Sequence, residues 1–425
     1  MASAPAAEAG RRGVSATLWI LLIVYIFNFI DRQIVNILAE PIAKDLHLSD
    51  TQIGLMTGIA FALFYTVLGL PIARYADKPS TNRPRLIAAA LAIWSGMTAL
   101  CGLAQNFTHL LLARIGVGVG EAGCTPAAHS LISDLVPKEK RASALGFYAL
   151  GIPIGTVLGM IIGGLLVDAL GWRHAFMIVG LPGLAMAVVV MLVLKDPRHR
   201  IEAAAPVARV DTGAALQAIF SSRAMVLLLA AASFAAFLSY GKATWATIFF
   251  QRTYGLSPGE VGLYFGIVNG AGGILGTWMS GKIADRFGHT NRKHVLTAAA
   301  WGMLLVAPTA ILGYSMADWR AALFLLFVPT FLGSLYYGPT YSSVQGLTSP
   351  QSRAMASAVL LFFQNLIGLG LGPLAFGMLS DAIKPSFGED SVRYVLYAAS
   401  LMSLIPAFFF WRCSLRLNEE LDQKT

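Results

Sequence analysis

Charged residues are scarce in this sequence: only 12% of its 425 residues are Asp, Glu, Lys or Arg, whereas 56% are hydrophobic. Soluble domains carry about 25% charged residues, so the composition excludes an ordinary soluble protein. A membrane-spanning helix needs about 20 apolar residues, and with connecting loops the chain accommodates about twelve such helices. The composition therefore predicts an all-α, multi-pass membrane protein.

Cysteine is also scarce, and Cys101, Cys124 and Cys413 lie too far apart in the sequence to suggest a metal or redox site. No nucleophile–base pattern and no metal-ligand spacing is visible. The G-x-G-x-x-G pattern at 118–123 follows no strand, so we read it as helix packing and not as a nucleotide site. The sequence predicts neither an enzyme nor a bound metal or cofactor. It also lacks a recognisable cleavable signal peptide.

The 31 Lys and Arg residues are distributed unevenly along the chain. Twenty-two fall in one set of alternate loops and the termini, six in the other loops, and three inside apolar runs. By the positive-inside rule, this asymmetry places both termini in the cytoplasm and requires an even number of spans. The net charge of +9 is thus explained by membrane topology, without nucleic acid as a partner. We expect a multi-pass protein of the plasma membrane, the inner membrane in a bacterium.

Apolar runs, separated by polar, Pro and Gly residues, predict twelve spans in two groups of six. The spans are 17–44, 50–76, 85–105, 107–135, 141–168, 172–194, 223–252, 258–284, 293–314, 318–345, 353–382 and 391–413. The predicted organisation is a disordered tail over 1–16, a six-helix bundle over 17–194, a linker over 195–222, a second bundle over 223–413 and a tail over 414–425. Within the linker, 212–222 has the composition of a short amphipathic helix.

The two halves repeat each other in sequence with a constant offset of 208 residues. The aligned segments are Leu48–Leu55 with Leu256–Leu263, Gly58-Ile59 with Gly266-Ile267, and Asp77-Lys78 with Asp285-Arg286. Ser49 and Ser257 are the predicted N-caps of equivalent helices. Two parallel six-helix repeats are typical of transporters whose site lies between the halves near the membrane midplane.

Four charged residues fall near the middle of predicted spans in the first half: Asp31, Arg32, Arg114 and Glu121. Charges at that depth are costly and normally face a cavity or one another. Burial disfavours the ionised form of a carboxyl group, whereas a neighbouring guanidinium favours it. Because the two effects oppose each other, Asp31 and Glu121 are candidates for proton binding. Arg32 and Arg114 are candidates for binding an anionic headgroup. The plainer alternative is an ion-pair network that only holds helices together.

The second half offers no comparable pair of membrane-embedded acids. The offset of 208 residues places Ser239 opposite Asp31, and the offset of 212 or 213 that aligns the fourth and tenth helices places Gly333 or Ser334 opposite Glu121. Most aromatic side chains there are expected to pack, and Lys242 either reaches toward the outer interface, which we favour, or faces a phosphate. The candidates for a substrate cavity are Tyr240, Lys242, Trp245, Asn269, Tyr336, Tyr337, Tyr341 and Gln364.

Residues 281–288, Gly-Lys-Ile-Ala-Asp-Arg-Phe-Gly, resemble the loop signature of the major facilitator superfamily, and Ala73, Asp77 and Lys78 form a degenerate first-half copy. The glycine is expected to permit close helix approach. The predicted cytoplasmic gate comprises Asp77, Lys78, Asp134, Arg141, Gly281, Asp285 and Arg286. Asp77 is its expected centre, with Asp134 and Arg141 as candidate partners. Glycines at every fourth position from 151 to 163 resemble a fifth-helix motif of antiporters, but packing between the two halves is the simpler interpretation.

The first half resembles the Spinster family of lysolipid and sphingosine-phosphate transporters more closely. This resemblance lies in Asn28–Arg32, Leu48–Leu55, Arg114–Ala122, Ser133–Leu135, Arg141, Phe147-Tyr148 and Ile152–Gly155. It implies a major facilitator fold of two six-helix bundles. It also implies that Asp31 and Glu121 are proton-linked acids with Arg32 and Arg114 as their basic partners.

The resemblance leads to a specific functional expectation. We expect a monomeric secondary carrier, driven by a proton gradient, that moves a lysophospholipid-like or sphingosine-phosphate-like amphiphile by alternating access. The main alternative is a proton-coupled carrier of a small organic anion, such as an aromatic or sugar acid. A lipid sensor that binds its ligand without transport is a third possibility. The concentration of charge in the first half favours the lipid substrate, because an organic acid needs polar partners from both halves.

Overall fold

The computed structural model describes residues 4–137, 140–197, 212–288, 292–349 and 352–422, and these residues form helices joined by short connections. The helices of the first half are α1 (Ala4–Leu46), α2 (Asp50–Thr57), α3 (Ile59–Ala76), α4 (Arg83–Cys101), α5 (Phe107–Glu121), α6 (Cys124–Leu135), α7 (Arg141–Ala149) and α8 (Gly151–Val193). Those that follow are α9 (Thr212–Ser221), α10 (Arg223–Tyr254), α11 (Pro258–Gly288), α12 (Arg292–Ser315), α13 (Trp319–Gly333), α14 (Tyr337–Leu347), α15 (Arg353–Phe363), a π-helix (Gln364–Leu371), α16 (Gly372–Phe387), a 3₁₀ turn (Gly388–Asp390), α17 (Ser391–Leu401) and α18 (Leu404–Asp422).

Each predicted span is occupied by helix, and the main differences lie at the two ends of the chain. Residues 4–16, expected to be a disordered tail, belong to α1, because this alanine-rich stretch favours helix. Helix α18 likewise continues beyond 413 to Asp422. The predicted break between 168 and 172 is present inside α8, where Gly171 has φ +79°, a conformation that glycine adopts readily. The linker helix is confirmed as α9, whereas 198–211 lie outside the described residues.

Eight stretches of the described chain are long and apolar enough to cross a membrane. The two longest, Ser143–Val193 and Arg353–Leu417, each cover all or nearly all of two predicted spans. A multi-pass membrane protein is therefore confirmed by helix length and composition, and the total of twelve spans stays a prediction.

The N-caps predicted from the internal repeat are confirmed in both halves. The Ser49 hydroxyl accepts a hydrogen bond from the Gln52 backbone N–H, and the Gln52 side chain accepts one from the Ser49 N–H. Ser257 and Glu260 form the same reciprocal pair of hydrogen bonds. This capping box satisfies two backbone donors at each helix start. The 208-residue repeat is thus present in local structure as well as in sequence.

The regularly spaced glycines of α8 pack against α1, within the first half, and not between the halves as expected. A Cβ at Gly155 would come closer than 3.0 Å to backbone and side-chain atoms of Ile26 and Phe29, and one at Gly163 would crowd Ile34 and Ile37. Glycines at 368 and 372 make the equivalent close approach to α10, the first long helix of the second half. In each half the glycines therefore let two helices of that half pack closely.

The chain divides into two compact units that follow the sequence halves with two short exceptions. Unit 1 contains residues 1–48, 60–206 and 257–263, and unit 2 contains 49–59, 207–256 and 264–425. Segment 49–59, which holds α2, thus groups with the second half, and segment 257–263 groups with the first. The transition at 59–60 follows a break in the helix at Gly58, whose φ of −106° and ψ of −98° are not helical.

Candidate functional site: a buried charge cluster

The four predicted membrane charges lie on two helices of unit 1, and three of them are almost fully buried. Asp31 is 2% exposed, Arg114 is 1% exposed and Glu121 is 0% exposed. Arg32 follows Asp31 on α1, and Arg114 and Glu121 lie seven residues apart, two helical turns, on α5.

Arg32 and Glu121 form the only direct ion pair among these four side chains. The Arg32 Nε donates to Glu121 Oε2 at 2.6 Å. The Arg32 guanidinium also lies over three aromatic rings, at 4.4 Å from the Tyr65 centroid and 5.1 Å from those of Phe29 and Phe61. Cation–π attraction and the charge-assisted hydrogen bond together fix the guanidinium and stabilise its charge.

Arg114 is held differently from Arg32. Its guanidinium lies 5.4 Å from the Phe61 centroid, so Phe61 contacts both arginines. Among the described residues, Arg114 Nε and Nη1 make no hydrogen bond, and neither do Glu121 Oε1 and Asp31 Oδ1. Burying an unpaired polar atom costs about 1–3 kcal/mol. The cluster therefore retains donors and acceptors that a ligand could satisfy.

Asp31 is surrounded by polar side chains of α4. Trp94 and Thr98 lie beside its carboxylate, although the indole N–H and the hydroxyl make no hydrogen bond of standard geometry. Asp31 is also within electrostatic range of both Glu121 and Arg114. All four predicted residues thus share one electrostatic environment, and a proton gained or lost at one carboxyl group affects the other.

At the predicted cytoplasmic end of unit 1, Arg83 is the centre of a second charged network. Its side chain is fully buried and donates to Asp196 through Nε at 3.0 Å and Nη2 at 2.5 Å. Its Nη1 donates to Asp134 at 2.6 Å and to the Ser130 hydroxyl at 3.2 Å, and Ser130 donates to Asp77 at 3.3 Å. The sequence interpretation placed Asp77 at the centre, whereas the structure connects Asp77 to this network through Ser130.

The other predicted first-half gate residues lie around this network. Arg141 Nε donates to the Val136 carbonyl oxygen at 3.2 Å, and the Lys78 ammonium lies 5.7 Å from the Tyr75 ring centroid. Arg141 was expected to be a partner of Asp77; the contact recorded for it is with the backbone of its own connection. Asp134, the other expected partner, pairs with Arg83.

The second copy of the loop signature lies in the last turns of α11. Gly281, Asp285 and Arg286 are helical, and residues 289–291 lie outside the described residues. The expected close approach at Gly281 is not the reason for that glycine, since a Cβ there would meet nothing within 4 Å. Gly338 makes the close approach instead, because a Cβ there would lie under 3.0 Å from the Ser280 and Gly281 backbone.

The eight cavity candidates of the second half have different environments. Trp245 is fully buried and its Nε1 donates to the Pro373 carbonyl oxygen at 2.9 Å, so it belongs to the packed interior. Tyr336 is 1% exposed and stacks on Tyr337 with centroids 4.4 Å apart.

The remaining candidates are less buried or carry hydrogen bonds that a ligand could replace. The Tyr341 hydroxyl donates to Gln364 Oε1 at 3.5 Å, and Asn269 Oδ1 accepts from the Thr330 hydroxyl at 3.1 Å. Tyr240 and Lys242 are partly exposed on α10. No group of three or more His, Cys, Asp or Glu that could hold a metal ion occurs in the described part of the chain.

Comparison with known proteins identifies the family. The model of the Major Facilitator Superfamily matches residues 21–366. The chain belongs to the major facilitator superfamily. It is 33% identical to an MFS-type efflux pump of Mycolicibacterium smegmatis, over 98% of this chain and 96% of that protein. It is 28% identical to human protein spinster homolog 1, over 91% of this chain and 78% of that protein.

Solved structures give the same result for the fold. The crystal structure of a bacterial homolog of the human lysosomal transporter Spinster, inward-facing and unoccupied, is similar with a TM-score of 0.87 and 30% identity, over 96% of this chain and 98% of that one. The nucleoside transporter NupG is similar with a TM-score of 0.74 and 14% identity, which shows the fold alone. The predicted major facilitator fold and the resemblance to Spinster are confirmed, and the chain is a membrane transporter.

Sequence reasoning missed several residues of the two charged networks. Phe61 and Tyr65, which contact the arginines, lie four residues apart on α3 and so share a helix face, but aromatic residues in an apolar span are usually read as packing. Asp196 was noticed only as part of a polar linker. Asp196 follows the predicted span 172–194 and Arg83 precedes the span 85–105, and these positions are the signal that could have suggested that the two residues pair.

Proposed function

We propose that this chain is a proton-coupled secondary transporter of lysophospholipid-like or sphingosine-phosphate-like amphiphiles, working by alternating access. The observation that carries the proposal is the buried Arg32–Glu121 ion pair, 2.6 Å long, beside unpaired polar atoms of Arg114 and Asp31. A transporter that couples protons to an anionic headgroup needs carboxyl groups and arginines that can exchange partners. The Spinster relatives support a lipid-like substrate.

Proton binding at Glu121 would release Arg32 from its ion pair. Arginine stays protonated, so neutralising Glu121 leaves a positive charge that a phosphate can pair with. A guanidinium suits this role because it can bind two phosphate oxygens at once. Arg114 already has two unpaired nitrogen donors and can contribute to the same headgroup. Protonation of Glu121 would remove the ion-pair partner of Arg32, and the headgroup would take its place. Proton binding and headgroup binding would therefore favour each other.

Asp31 supplies the second proton site of the proposal. Asp31 and Glu121 repel each other when both are ionised, while the two arginines favour the ionised forms. With all four groups ionised the cluster is formally neutral. Protonating one carboxyl group changes the electrostatic energy of the other, and the pair responds as a unit. No bound cofactor is required, because the proton gradient supplies the driving force.

The second half supports a lipid more than a small acid. Its cavity candidates carry one ionisable cation, Lys242, and otherwise aromatic hydroxyl and amide groups. Aromatic side chains suit contact with an apolar tail, whereas a small acid needs more polar partners. We also propose that the protein acts as a monomer in the plasma membrane with both termini in the cytoplasm.

A proton-coupled carrier of a small organic anion is the second candidate. The observation that favours this candidate is the pair of Arg114 nitrogens, Nε and Nη1, that make no hydrogen bond, because they could bind a carboxylate as well as a phosphate. The relative in Mycolicibacterium smegmatis is described as an efflux pump, a name that specifies no lipid substrate.

Transport into proteoliposomes with an imposed pH gradient tests the proposal. We expect the parent protein to move a radiolabelled lysophospholipid faster with the gradient than without it. An aromatic carboxylate serves as the competing substrate. Gradient-driven transport of the carboxylate without the lysolipid would establish the second candidate, and binding of lysolipid without any transport would indicate a sensor.

A further inference from the structure

Lys242 is a cation deep within α10 whose charge is not compensated by its surroundings. Among the described residues, no hydrogen bond or ion pair involves its ammonium group, and no charged side chain is close enough to interact with it electrostatically. The side chain is enclosed by protein and still partly accessible. An unpaired charge at membrane depth is costly and normally serves a function.

The depth of Lys242 argues against our expectation that it reaches the outer interface. Helix α10 ends at Tyr254, twelve residues further on. At 1.5 Å per residue this is about 18 Å along the helix axis, much longer than a four-carbon side chain. In addition, the residues of the intervening turns, 244–251, are buried. The ammonium group therefore stays at the level of its own helical turn.

The accessible face of α10 around Lys242 is polar. Ser239 is exposed and lies three residues before Lys242, so the two side chains share one face of the helix. Ser239 is also the position equivalent to Asp31 under the 208-residue repeat. Lys242 thus lies about one helical turn from Ser239, the counterpart of Asp31. Contact of this charged face with lipid tails would be unfavourable.

We infer that Lys242 binds an anionic oxygen of the substrate, a phosphate or a carboxylate, and selects amphiphiles with net negative charge over zwitterionic ones. The inference rests on the proposed function only in taking the substrate to be an amphiphile. Lys242 carries one positive charge that no charged side chain around it balances within the described part of the chain, and an anionic oxygen of the substrate would balance it.

The test compares two lysolipids with the same acyl chain, lysophosphatidylglycerol, which is anionic, and lysophosphatidylcholine, which is zwitterionic. Binding to the purified full-length protein in lipid nanodiscs is measured by thermophoresis for the parent, Lys242→Met and Lys242→Arg. We expect Lys242→Met to weaken binding of the anionic lipid about tenfold and that of the zwitterionic lipid less than about twofold. Lys242→Arg should retain most of the preference.

Lys44→Met is the matched control, since it removes one positive charge from a side chain that is 71% exposed at the end of α1. It should leave both affinities unchanged. Equal losses for both lipids in Lys242→Met, or no loss for the anionic lipid, would overturn the inference. Monodispersity on gel filtration and the binding of the zwitterionic lipid show whether the variant is folded.

A third probe, benzoate, separates the failure of this inference from that of the proposed function. If the parent binds no lysolipid but binds benzoate in a manner that depends on Lys242, the lipid proposal is wrong and the anion site stands. If lysophosphatidylcholine and lysophosphatidylglycerol bind equally well to the parent and to Lys242→Met, the lipid proposal stands and the anion site is wrong. Failure of the parent to bind any of the three probes contradicts both.

Discussion

Asp168 and Asp381 make the same kind of contact, since each binds the start of a helix from the other half of the sequence. Asp381 accepts hydrogen bonds from the backbone N–H groups of Asp50 at 3.0 Å and Thr51 at 2.7 Å. Asp168 accepts from the Gly259 N–H at 3.0 Å and from the Ser257 hydroxyl at 2.6 Å. These contacts explain why 49–59 groups with unit 2 and 257–263 with unit 1.

Removing either aspartate should therefore weaken the attachment of the short segment that it binds. A carboxylate at a helix N-terminus satisfies unpaired N–H groups and interacts favourably with the helix dipole, contributing about 0.5–2 kcal/mol. We expect Asp381→Ala and Asp168→Ala to lower the melting temperature of the purified protein. Asp390→Ala is the control, because Asp390 is half-exposed and its 3.6 Å pair with Arg393 lies at the surface. Equal melting temperatures for all three variants would contradict this assignment.

Arg83 should matter more for stability than the gate residue identified from sequence. Arg83→Ala leaves Asp196, whose side chain is 1% exposed, without its guanidinium partner. Breaking a buried ion pair on one side costs about 3–5 kcal/mol. Asp77→Asn should be much milder, since an amide oxygen can still accept from the Ser130 hydroxyl. Thermal unfolding of both variants tests the order, and a larger loss for Asp77→Asn would refute it.

Asp77→Asn is still expected to affect conformation. If Asp77 helps to keep the predicted cytoplasmic side closed, its neutralisation should shift the population toward the state open on that side. Spin-label distances between the predicted cytoplasmic loops should then increase. Lys44→Met, near the predicted outer end of α1, is the control and should leave these distances unchanged. Unchanged distances would limit Asp77 to a structural role.

The fold was predictable from sequence to a greater degree than the site. Apolar runs and the 208-residue repeat mark the helices because membrane burial requires such runs, and Ser49 and Ser257 cap helices through purely local interactions. The pairing of Arg32 with Glu121 joins residues 89 apart and depends on how α1 and α5 pack, which no local pattern encodes. Phe61 escaped notice for the same reason, since its role comes from its neighbours and not from its residue type.

The predicted topology can be tested with cysteines, because Cys101, Cys124 and Cys413 are buried and should give little background labelling. Ser221→Cys lies in the linker expected inside the cell, and Ala317→Cys in a connection expected outside; both positions are exposed. An impermeant thiol reagent should label Ala317→Cys in intact cells and Ser221→Cys only after permeabilisation. The opposite pattern would invert the topology.

The ring of Phe61 offers a test of the cluster that leaves its charges unchanged. Phe61→Leu keeps an apolar side chain but removes the aromatic face that contacts both Arg32 and Arg114. Cation–π contacts contribute about 0.5–2 kcal/mol each, so we expect weaker headgroup binding and retained proton dependence. Leu63→Ala, on the exposed face of the same helix, is the control.

The decisive prediction concerns the proton. Asp31→Asn combined with Glu121→Gln removes both carboxylates of the cluster and keeps similar side-chain volumes. Arg32 and Arg114 are then left with two positive charges that protons no longer regulate, so the anionic headgroup should still bind while its transport loses the response to pH. In proteoliposomes with an imposed pH gradient, we expect the double variant to exchange lysolipid at the same rate in both gradient directions. Lys44→Met, which leaves the cluster intact, should respond as the parent does. If the double variant follows the gradient as the parent does, Asp31 and Glu121 do not couple the proton and the cluster serves only to hold α1 and α5 together.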